Sequence, residues 1–399
     1  MARTLFVDHA GVLGGAELYL LDVVRHMRHN AQVVLFEDGP FMDRLKEEAI
    51  PASILQAPAS VMGVERAGGK MKDLKSIPGI FQMVMRLRKL SRKFDVIYAN
   101  SQKALIVSAL AGRVAMRPVI WNLHDILTAE HFSASHRKIA VMLANRFVDH
   151  VIVNSEATRK AFGDCGGDVS KTSIVYNGID ASRFQAVNDE EVLQMRESLG
   201  LTNAFVVGLF SRLTNWKGQH VLLEAISQIP NVHAVLVGGA LFQDDAAYEQ
   251  KLRKMVTEFG ISDRVHFLGF RDDVPRLMKM MDVVVHCSTA PEPFGRVIVE
   301  GMLAKKPVIA ANAGGAREIV SNGENGLLTT PGDPAALAAA IKLLQDDTAR
   351  ATQLAQTGFT DAFQRFAIEN IVKQIDHQIR KVIGDPNAIA IAETSASPV

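Results

Sequence analysis

Residues 283–310 read VVVHCSTAPEPFGRVIVEGMLAKKPVIA, and this stretch decides the fold class. A β-branched run opens it, a turn rich in proline and glycine follows, and a helix-compatible segment leads to a second apolar run. Parallel strands need a helical crossover of this kind, and strands buried on both faces are nearly continuous apolar runs. The stretch therefore predicts a strand–helix–strand unit of a parallel sheet.

Similar apolar runs, separated by helix-compatible segments, precede this unit along the chain. They are Leu5–Val7, Val33–Phe36, Asp95–Tyr98, Pro118–Trp121, His150–Val153, Ala204–Val207, Ala234–Val237 and Val265–Leu268. Such alternation is typical of α/β folds with parallel sheets. Because a chain of 399 residues is too long for one ordinary core, we predict two doubly wound, Rossmann-like domains that face each other across a cleft.

A polar stretch rich in Asn, Asp and Glu marks the expected boundary between the two domains. The predicted parts are a first domain over 1–184, a linker over 185–202, a second domain over 203–360, a helical stretch over about 361–384 that completes the first domain, and a disordered tail over 385–399. The helical stretch is predicted from the roughly helical spacing of Phe363, Phe366, Ile371 and Ile375.

Composition excludes several classes of function. Hydrophobic residues make up 48% of the chain and charged residues 22%, and the formal net charge of +1 predicts no nucleic-acid partner. The two cysteines, Cys165 and Cys287, are far apart, so neither a disulfide framework nor a structural zinc site is expected. No signal-peptide pattern and no apolar run of roughly 18 residues occurs, which favours a cytoplasmic protein.

Two glutamates form the centre of the candidate site in the second domain. Glu292 lies in the turn after a strand and Glu300 in the helix that follows, so both can face one ligand at the carboxyl end of the sheet. Glu300 could bind a ribose and Glu292 a hexose, while the amides after Pro293 favour an anion. The alternative is two solvated glutamates.

Two cations follow an earlier strand of the same domain. Arg212 and Lys217 precede a helix, where they could bind a diphosphate and stabilise the charge that grows on it as a sugar–phosphate bond breaks. Ordinary surface charges are the alternative, although cations at a helix start oppose the helix dipole. Gly314–Gly315 either lets a ligand approach the backbone or forms a tight turn.

In the first domain, glycines and one histidine are candidates. Gly14–Gly15 links the first strand to the first helix and could present amides to a phosphate. His124 follows a strand and could point into the cleft, or it could be a structural histidine. Asp125 could orient that imidazole or cap the next helix.

Two alternatives involving other cofactors are weaker. Glu37 and Asp38 lie about where an acid would bind the ribose of a dinucleotide, yet the Gly-x-Gly-x-x-Gly pattern is absent. No Asp-x-Asp pattern or cluster of His, Asp and Glu suits a metal ion that bridges a diphosphate. We therefore expect a reaction that needs no metal ion and no cofactor.

Together these segments resemble the retaining GT-B glycosyltransferases of family four, the glycosyl transferases group 1 family. The similarity covers residues 3–383, and it departs from the family pattern at Gly301 and at Lys305–Lys306. The matching segments are GGAE at 14–17, NGID at 177–180, SRL at 211–213, KG at 217–218, FLG at 267–269, and the run from Pro291 through Gly314–Gly315 to NGLL at 325–328.

The resemblance implies roles for individual residues. Arg212 and Lys217 would hold the donor diphosphate, Glu300 the ribose, and Glu292 the transferred sugar. The implied donor-binding set is Gly14, Gly15, Arg212, Lys217, Phe270, Arg271, Glu292, Phe294, Gly295, Arg296, Val297 and Glu300, and the implied catalytic set is His124, Glu292, Arg212 and Lys217. Retention is also implied, with the leaving phosphate taking the acceptor's proton. Asp273 matches a position that touches guanine in some mannosyltransferases, or it caps its helix.

A basic and apolar segment over residues 71–94 raises the question of membrane contact. Such a segment could rest on anionic lipid, or it could be a core-packed helix with a solvated basic face. Many members of the family extend lipid-linked saccharides on the inner face of the bacterial membrane, which implies an acceptor of the cell envelope or of an exopolysaccharide. A UDP-sugar is the favoured donor. A GDP-mannose enzyme, a non-catalytic nucleotide-sugar-binding protein and a nicotinamide oxidoreductase are the alternatives.

Overall fold

A computed structural model describes residues 2–57, 77–129, 132–240 and 243–386 of the chain. The chain forms two compact units. Unit 1 comprises Met1–Gly178 and Ile368–Val399, and unit 2 comprises Ile179–Ala367.

Unit 1 contains a seven-stranded parallel sheet with the strand order β3-β2-β1-β4-β5-β6-β7. The strands are β1 (Thr4–Asp8), β2 (Ala31–Leu35), β3 (Ala52–Ile54), β4 (Val96–Ala99), β5 (Val119–Leu123), β6 (His150–Val153) and β7 (Thr172–Ile174). The helices between them are α1 (Gly15–Met27), α2 (Pro40–Glu47), α3 (Ile77–Ser91), α4 (Gln102–Ala115), α5 (Ala134–Phe147) and α6 (Glu156–Asp164). A 3₁₀ turn, Val169–Lys171, precedes β7.

The sheet of unit 1 is covered on both faces, because alternate residues of each strand enter different apolar clusters. Leu5 and Val7 pack in one cluster with α3, α4 and α5. Phe6, between them, packs in the other cluster with Tyr98 and with α1. This is the doubly wound arrangement that the apolar runs predict.

Unit 2 contains a six-stranded sheet with the order β10-β9-β8-β11-β12-β13, and its strand pairs are also parallel. The strands are β8 (Phe205–Phe210), β9 (Val232–Val237), β10 (Val265–Gly269), β11 (Val283–His286), β12 (Val308–Ala311) and β13 (Leu327–Thr329). The helices are α7 (Ser182–Gln185), α8 (Asp189–Ser198), α9 (Gln219–Ser227), α10 (Gln243–Glu258), α11 (Val274–Met280), α12 (Arg296–Leu303), α13 (Ala316–Ile319), α14 (Pro334–Asp346) and α15 (Thr348–Phe366). The two sheets agree with the predicted fold class.

The expected linker over 185–202 is instead part of unit 2. Most of it is helix α8, which Asn188 and Glu191 cap reciprocally at its N-terminus. Arg196 of this helix donates to a carboxylate oxygen of Asp282 at 2.8 Å and to the carbonyl of Met280 at 2.7 Å. The polar composition therefore reflects an exposed, well-capped helix. The chain leaves unit 1 after Gly178, earlier than the predicted residue 184.

The helical stretch predicted over 361–384 consists of two helices that belong to different units. Phe366 ends α15 in unit 2, and the chain enters unit 1 at the next helix, α16 (Ile368–Val382). Ile371 and Ile375 of α16 are buried in the same cluster as α1. The prediction therefore holds for the second of these helices. The expected tail lies, from residue 387 onward, outside the described residues.

Lys305 occupies one of the two positions that depart from the family pattern. It adopts a left-handed conformation with a φ of 57°, which is unusual for a residue with a side chain. The turn between α12 and β12 is thus made without the expected glycine. None of the helices in the described ranges combines the length and the hydropathy of a membrane span.

Candidate functional site

Lys217 is positioned by the loop that follows β8. It ends a 3₁₀ turn, Asn215–Lys217, and Gly218 then starts α9 with a φ of 73°. A Cβ atom at Gly218 would overlap the carbonyl oxygen of Cys287, so only glycine allows the loop to pack this closely against the segment after β11. The amide of Thr289 also donates to the carbonyl of Trp216 at 2.8 Å. These contacts place Lys217 beside the turn that contains Glu292.

Glu292 is buried, and three side chains contact one of its carboxylate oxygens. Its Oε1 accepts hydrogen bonds from the ammonium of Lys217 and from the hydroxyl of Ser288. His286 Nε2 lies 3.1 Å from the same oxygen. Burial by itself would raise the pKa of the Glu292 carboxyl, but the charges and hydrogen bonds of Lys217 and His286 hold this pKa well below its usual range. Glu292 is therefore an ionised carboxylate at neutral pH.

Glu300 lies on α12, five residues after the glycine that starts this helix. Gly295, with a φ of 109°, is the N-cap, and its carbonyl accepts a hydrogen bond from the amide of Ile298 at 3.0 Å. The Glu300 carboxylate pairs with Arg296 one turn earlier at 3.3 Å, and both side chains are mostly buried. Arg296 and Glu300 thus lie on the same face of α12. The N-terminus of this helix follows Glu292 by three residues.

Phe294 and Val297 have different surroundings although both flank the N-cap of α12. The ring of Phe294 is buried edge-on against Phe366, with centroids 5.5 Å apart. Val297 is half-buried. The ring of Phe294 therefore contributes packing.

Gly314 and Gly315 contact the backbone of the same turn. The amide of Gly315 donates to the carbonyl of Glu292 at 2.8 Å. A Cβ atom at Gly314 would overlap that carbonyl oxygen, and one at Gly315 would lie 2.5 Å from the carbonyl oxygen of Pro293. The glycine pair thus supports Glu292 through a close backbone approach, which is the tight-packing alternative of the sequence analysis.

Arg212 is paired with a residue that the sequence did not indicate. Its Nε lies 3.7 Å from Asp245, a buried residue of α10. Its carbonyl accepts a hydrogen bond from the buried Gln219 at 2.8 Å. Arg212 and Lys217 therefore follow the same strand, but each lies against a different acid.

The segment after β10 presents one exposed ring and one tight ion pair. Phe270 is 63% exposed. Arg271 binds both carboxylate oxygens of Asp273 at 2.8 and 2.7 Å. This guanidinium lowers the pKa of the Asp273 carboxyl, and the carboxylate in turn raises the pKa of Arg271. Asp273 occupies the N-cap position of α11 but its side chain makes no capping bond, so it does not cap the helix in this way.

In unit 1, the glycine turn is closed by local contacts. Gly14 is the N-cap of α1, and its amide donates to the carboxylate of Glu17 at 3.0 Å. Gly15 is the first residue of the helix. Glu37 accepts a hydrogen bond from the amide of Gly11 at 3.1 Å, so this acid ties the loops after β1 and β2 together. That contact gives Glu37 a structural role in place of the ribose contact of a dinucleotide.

His124 belongs to a polar network at the carboxyl ends of β4 and β5. Its Nε2 lies 2.7 Å from the amide nitrogen of Asn122 and 2.9 Å from the amide oxygen of Asn100. Its ring lies edge-on to Tyr19, with centroids 5.3 Å apart. The imidazole is half-buried and is therefore both held in place and accessible. Asp125 does not cap the next helix, because Ser133 caps α5.

The structure shows partners that sequence reasoning missed. In unit 2 these are His286, Ser288 and Asp245, and in unit 1 they are Asp8, His9, Asn100 and Asn122. All but Asp245 lie at or just after the end of a strand, which is the one sequence signal that could have found them. Over the part of the chain that the structure describes, no group of three or more His, Cys, Asp or Glu side chains is arranged to hold a metal ion.

Comparisons with known proteins identify the family and the fold of this chain. Residues 13–183 match the family described as Glycosyltransferase Family 4, and residues 193–361 match Glycosyl transferases group 1. A crystal structure of HepE from Anabaena with UDP and glucose is 43% identical, covers 95% of this chain and 99% of its own, and gives a TM-score of 0.86. This chain belongs to the glycosyl transferases group 1 family. Its fold is that of the GT-B glycosyltransferases.

Two further comparisons extend the family assignment. HepE with UDP-glucose is 42% identical, covers 96% of this chain and 100% of its own, and gives a TM-score of 0.87. The lipopolysaccharide core biosynthesis glycosyltransferase LpsE of Rhizobium meliloti is 34% identical over 227 residues, which are 57% of this chain and 62% of LpsE. This group 1 family member thus spans somewhat less than two thirds of LpsE and nearly all of HepE.

Proposed function

We propose that this protein transfers a hexosyl group from a UDP-sugar to a hydroxyl of a saccharide or lipid-linked saccharide, with retention and without a metal ion. The observation that carries the proposal is the contact of Lys217 with Glu292 beside the N-terminus of α12. It brings a cation, a buried acid and a helix start together at the carboxyl end of one sheet, where open α/β sheets bind ligands. HepE, which is 42–43% identical, was crystallised with UDP and glucose and with UDP-glucose.

The proposed chemistry follows from these charges. The bond between the anomeric carbon and the phosphate oxygen breaks, and its electron pair leaves on the diphosphate. Arg212, Lys217 and the first amides of α12 stabilise that charge. The acceptor oxygen bonds to the anomeric carbon on the same face, and its proton passes to the departing phosphate. Glu292 and Glu300 hold the hexose and the ribose through hydroxyl hydrogen bonds, and the family resemblance gives His124 a positioning role in unit 1.

The nucleotide preference is argued from Asp273. Both of its oxygens already accept from Arg271, at 2.7 and 2.8 Å. A guanine contact at this carboxylate would compete with a bidentate ion pair, which is among the stronger hydrogen-bonded arrangements in proteins. A uracil base needs no such contact and can be held by the backbone near Phe270 and Arg271. This favours UDP over GDP as the leaving group.

Turnover of purified protein tests the proposal. Release of UDP from UDP-glucose and UDP-galactose, and of GDP from GDP-mannose, would be measured with a chelator present and with octyl glucoside as acceptor. We expect UDP release, and NMR of the product should show the anomeric configuration of the donor. The triple variant Arg212→Ala, Lys217→Ala, Glu300→Ala should lose both nucleotide binding and turnover. Tight nucleotide-sugar binding with no turnover would favour the non-catalytic alternative.

The acceptor and the cellular location are proposed from relatives and from α3. LpsE acts in lipopolysaccharide core biosynthesis by its name, so we place the acceptor in the cell envelope or in an exopolysaccharide. Of the predicted segment 71–94, residues 77–94 are described. Met83, Val84 and Leu87 of α3 pack in the core. We propose that the protein is cytoplasmic and that the opposite face of α3 contacts the inner face of the membrane.

That other face combines apolar and basic side chains. Ile77, Phe81 and Met85 are spaced four residues apart and are 59%, 65% and 38% exposed. Arg86 and Lys89 are exposed beside them. An apolar stripe flanked by cations suits the surface of an anionic bilayer, where each basic residue contributes about 1 kcal/mol. We therefore assign anionic lipid to this face.

Vesicle flotation tests the lipid contact. The full chain should bind vesicles that contain phosphatidylglycerol, release them at high salt and ignore pure phosphatidylcholine. Phe81→Ser should weaken binding severalfold. Phe363→Ser, which changes an exposed phenylalanine of unit 2, is the matched control and should leave binding unchanged. Equal loss in both variants would contradict a specific role for α3.

A further inference from the structure

A buried acid, Asp8, and a partly exposed histidine, His9, form a pair at the carboxyl end of β1. The ring nitrogen Nδ1 of His9 lies 3.1 Å from Asp8 Oδ1 and 2.9 Å from the hydroxyl of Ser101. The Asp8 side chain is fully buried, whereas 21% of the His9 side chain is exposed. The pair therefore has one end fixed in the protein and one end at the surface.

The fixed end determines which nitrogen of His9 carries a hydrogen. Asp8 Oδ2 accepts a hydrogen bond from Asn100 at 2.6 Å. Burial would raise the pKa of the Asp8 carboxyl, but the hydrogen bonds and the charge of its neighbours, His9 foremost, lower it. An ionised carboxylate can only accept, so Nδ1 of His9 must donate to it. In the neutral imidazole, Nε2 is then an acceptor.

The outer nitrogen of His9, Nε2, points away from the contacts with Asp8 and Ser101, which both involve Nδ1. Among the residues that the structure places, none makes a hydrogen bond to His9 Nε2. Asn100 links this pair to the site already described, since it bonds Asp8 with its amide nitrogen and lies 2.9 Å from His124 with its amide oxygen. One buried amide thus fixes both the acid behind His9 and the imidazole of His124.

The chemistry of this corner suits a hydroxyl. The groups named here are two imidazoles, two amides and a carboxylate that accepts hydrogen bonds from His9 and Asn100, and none of them is the Lys or Arg that a diphosphate requires. Saccharide hydroxyls, in contrast, need acceptors of fixed direction. We infer that His9 Nε2 accepts a hydrogen bond from a hydroxyl of the acceptor saccharide. This inference rests on the proposed glycosyl transfer and adds a binding residue to it.

Kinetics of paired variants test the inference on the full chain with UDP-glucose and octyl glucoside. His9→Asn keeps a polar group near Asp8 but removes the outer nitrogen, and it should raise the KM for octyl glucoside by about two- to tenfold, the value of one hydrogen bond. The KM for UDP-glucose and the rate of its hydrolysis should not change. His9→Gln, which restores a polar atom near the Nε2 position, should recover part of the loss. His29→Asn, at an exposed turn of the same unit, is the control.

Nitrogen NMR of histidine-labelled protein gives a readout that does not depend on turnover. The spectrum of His9 should show a protonated Nδ1 and an unprotonated Nε2. Methyl glycosides of glucose, galactose and mannose, each added with UDP, should include at least one that shifts Nε2 of His9 and leaves His29 unchanged. An Nε2 that none of them shifts, or an acceptor KM that His9→Asn does not alter, overturns the inference. Failure of the unchanged protein to turn over any UDP-sugar would instead refute the proposed function.

Discussion

Replacing Glu292 by glutamine should strengthen the binding of UDP while it abolishes most turnover. In the structure, the ammonium of Lys217 is held by Glu292, so UDP must either attract Lys217 away from this carboxylate or share it. UDP lacks the sugar whose hydroxyls would occupy Glu292. Removing the negative charge frees Lys217 for the diphosphate and also removes a repulsion between two anions.

The size of the effect follows from the burial of the pair. Lys217 is 20% exposed and Glu292 is 8% exposed, so the pair is neither a surface pair nor fully desolvated. At an effective dielectric constant of about 20, two unit charges at about 4 Å attract by about 4 kcal/mol. His286 and Ser288 still contact residue 292 in the variant. Part of the attraction between Lys217 and Glu292 only offsets the cost of removing these two charges from water. A net gain of about 1–2 kcal/mol remains, which corresponds to roughly a five- to thirtyfold lower Kd for UDP.

Isothermal titration of UDP into the wild-type and variant proteins measures this gain. Glu324→Gln changes an exposed glutamate of the same unit and should leave the Kd unchanged. Lys217→Met should weaken UDP binding about tenfold or more, because it removes the cation itself. Turnover should fall by roughly a hundredfold or more in Glu292→Gln, because the carboxylate proposed to bind the hexose hydroxyls is removed. A Glu292→Gln protein that binds UDP more weakly than the wild type would refute the idea that Glu292 competes for Lys217.

Three further substitutions probe the framework around the sites. Burial, together with the charge of Lys381, lowers the pKa of His150 to about 4. As the pH falls, His150 therefore binds a proton near pH 6.5 in the unfolded chain but stays neutral in the folded protein until the pH approaches 4. Stability should therefore fall by about 2 kcal/mol between pH 7 and pH 5, and urea titrations of His150→Phe should show a smaller loss. Gly218→Ala should cost at least about 2 kcal/mol in thermal unfolding and reduce UDP affinity, because its φ of 73° and its contact with Cys287 both exclude a Cβ. Ile375→Ala should cost about 2–5 kcal/mol by urea titration, because this side chain is fully buried, and an unchanged midpoint would contradict the docking of α16 in unit 1.

The fold could be predicted from the sequence because the parallel strands correspond to continuous apolar runs. Strands buried on both faces need such runs, and the helices between them have a different period. The polar composition of residues 185–202, in contrast, predicts a linker where the structure has a helix. Residues 189–198 are polar because α8 exposes most of its surface, and the capping pair Asn188 and Glu191 was the signal that a helix begins there. A polar stretch alone does not distinguish a linker from an exposed helix.

The candidate site could be predicted only in part, because sequence shows residue types and not strand order. Glu292 and Lys217 were identified separately, yet their contact depends on β11 lying beside β8, which no local pattern specifies. The role of Gly314 was ambiguous for the same reason, since the backbone it approaches belongs to the turn at Glu292. His286 and His9 were missed because a single histidine at a strand end has no periodicity. The contacts of these histidines in the folded protein indicate their roles, and their neighbours in sequence do not.

Paired charges in unit 2 lead to a consequence for donor recognition. Lys217 lies on Glu292, Arg212 lies 3.7 Å from Asp245, and Arg296 lies 3.3 Å from Glu300. Each cation is thus neutralised before a donor arrives, so a diphosphate must replace an acid that is already bound. The hexose lowers this cost, because its hydroxyls can satisfy Glu292 as Lys217 turns to the phosphate. Recognition of sugar and of phosphate is then coupled through one ion pair. The ratio of UDP-glucose affinity to UDP affinity should therefore fall in Glu292→Gln, and a ratio equal to that of the wild type would show that the two are recognised independently.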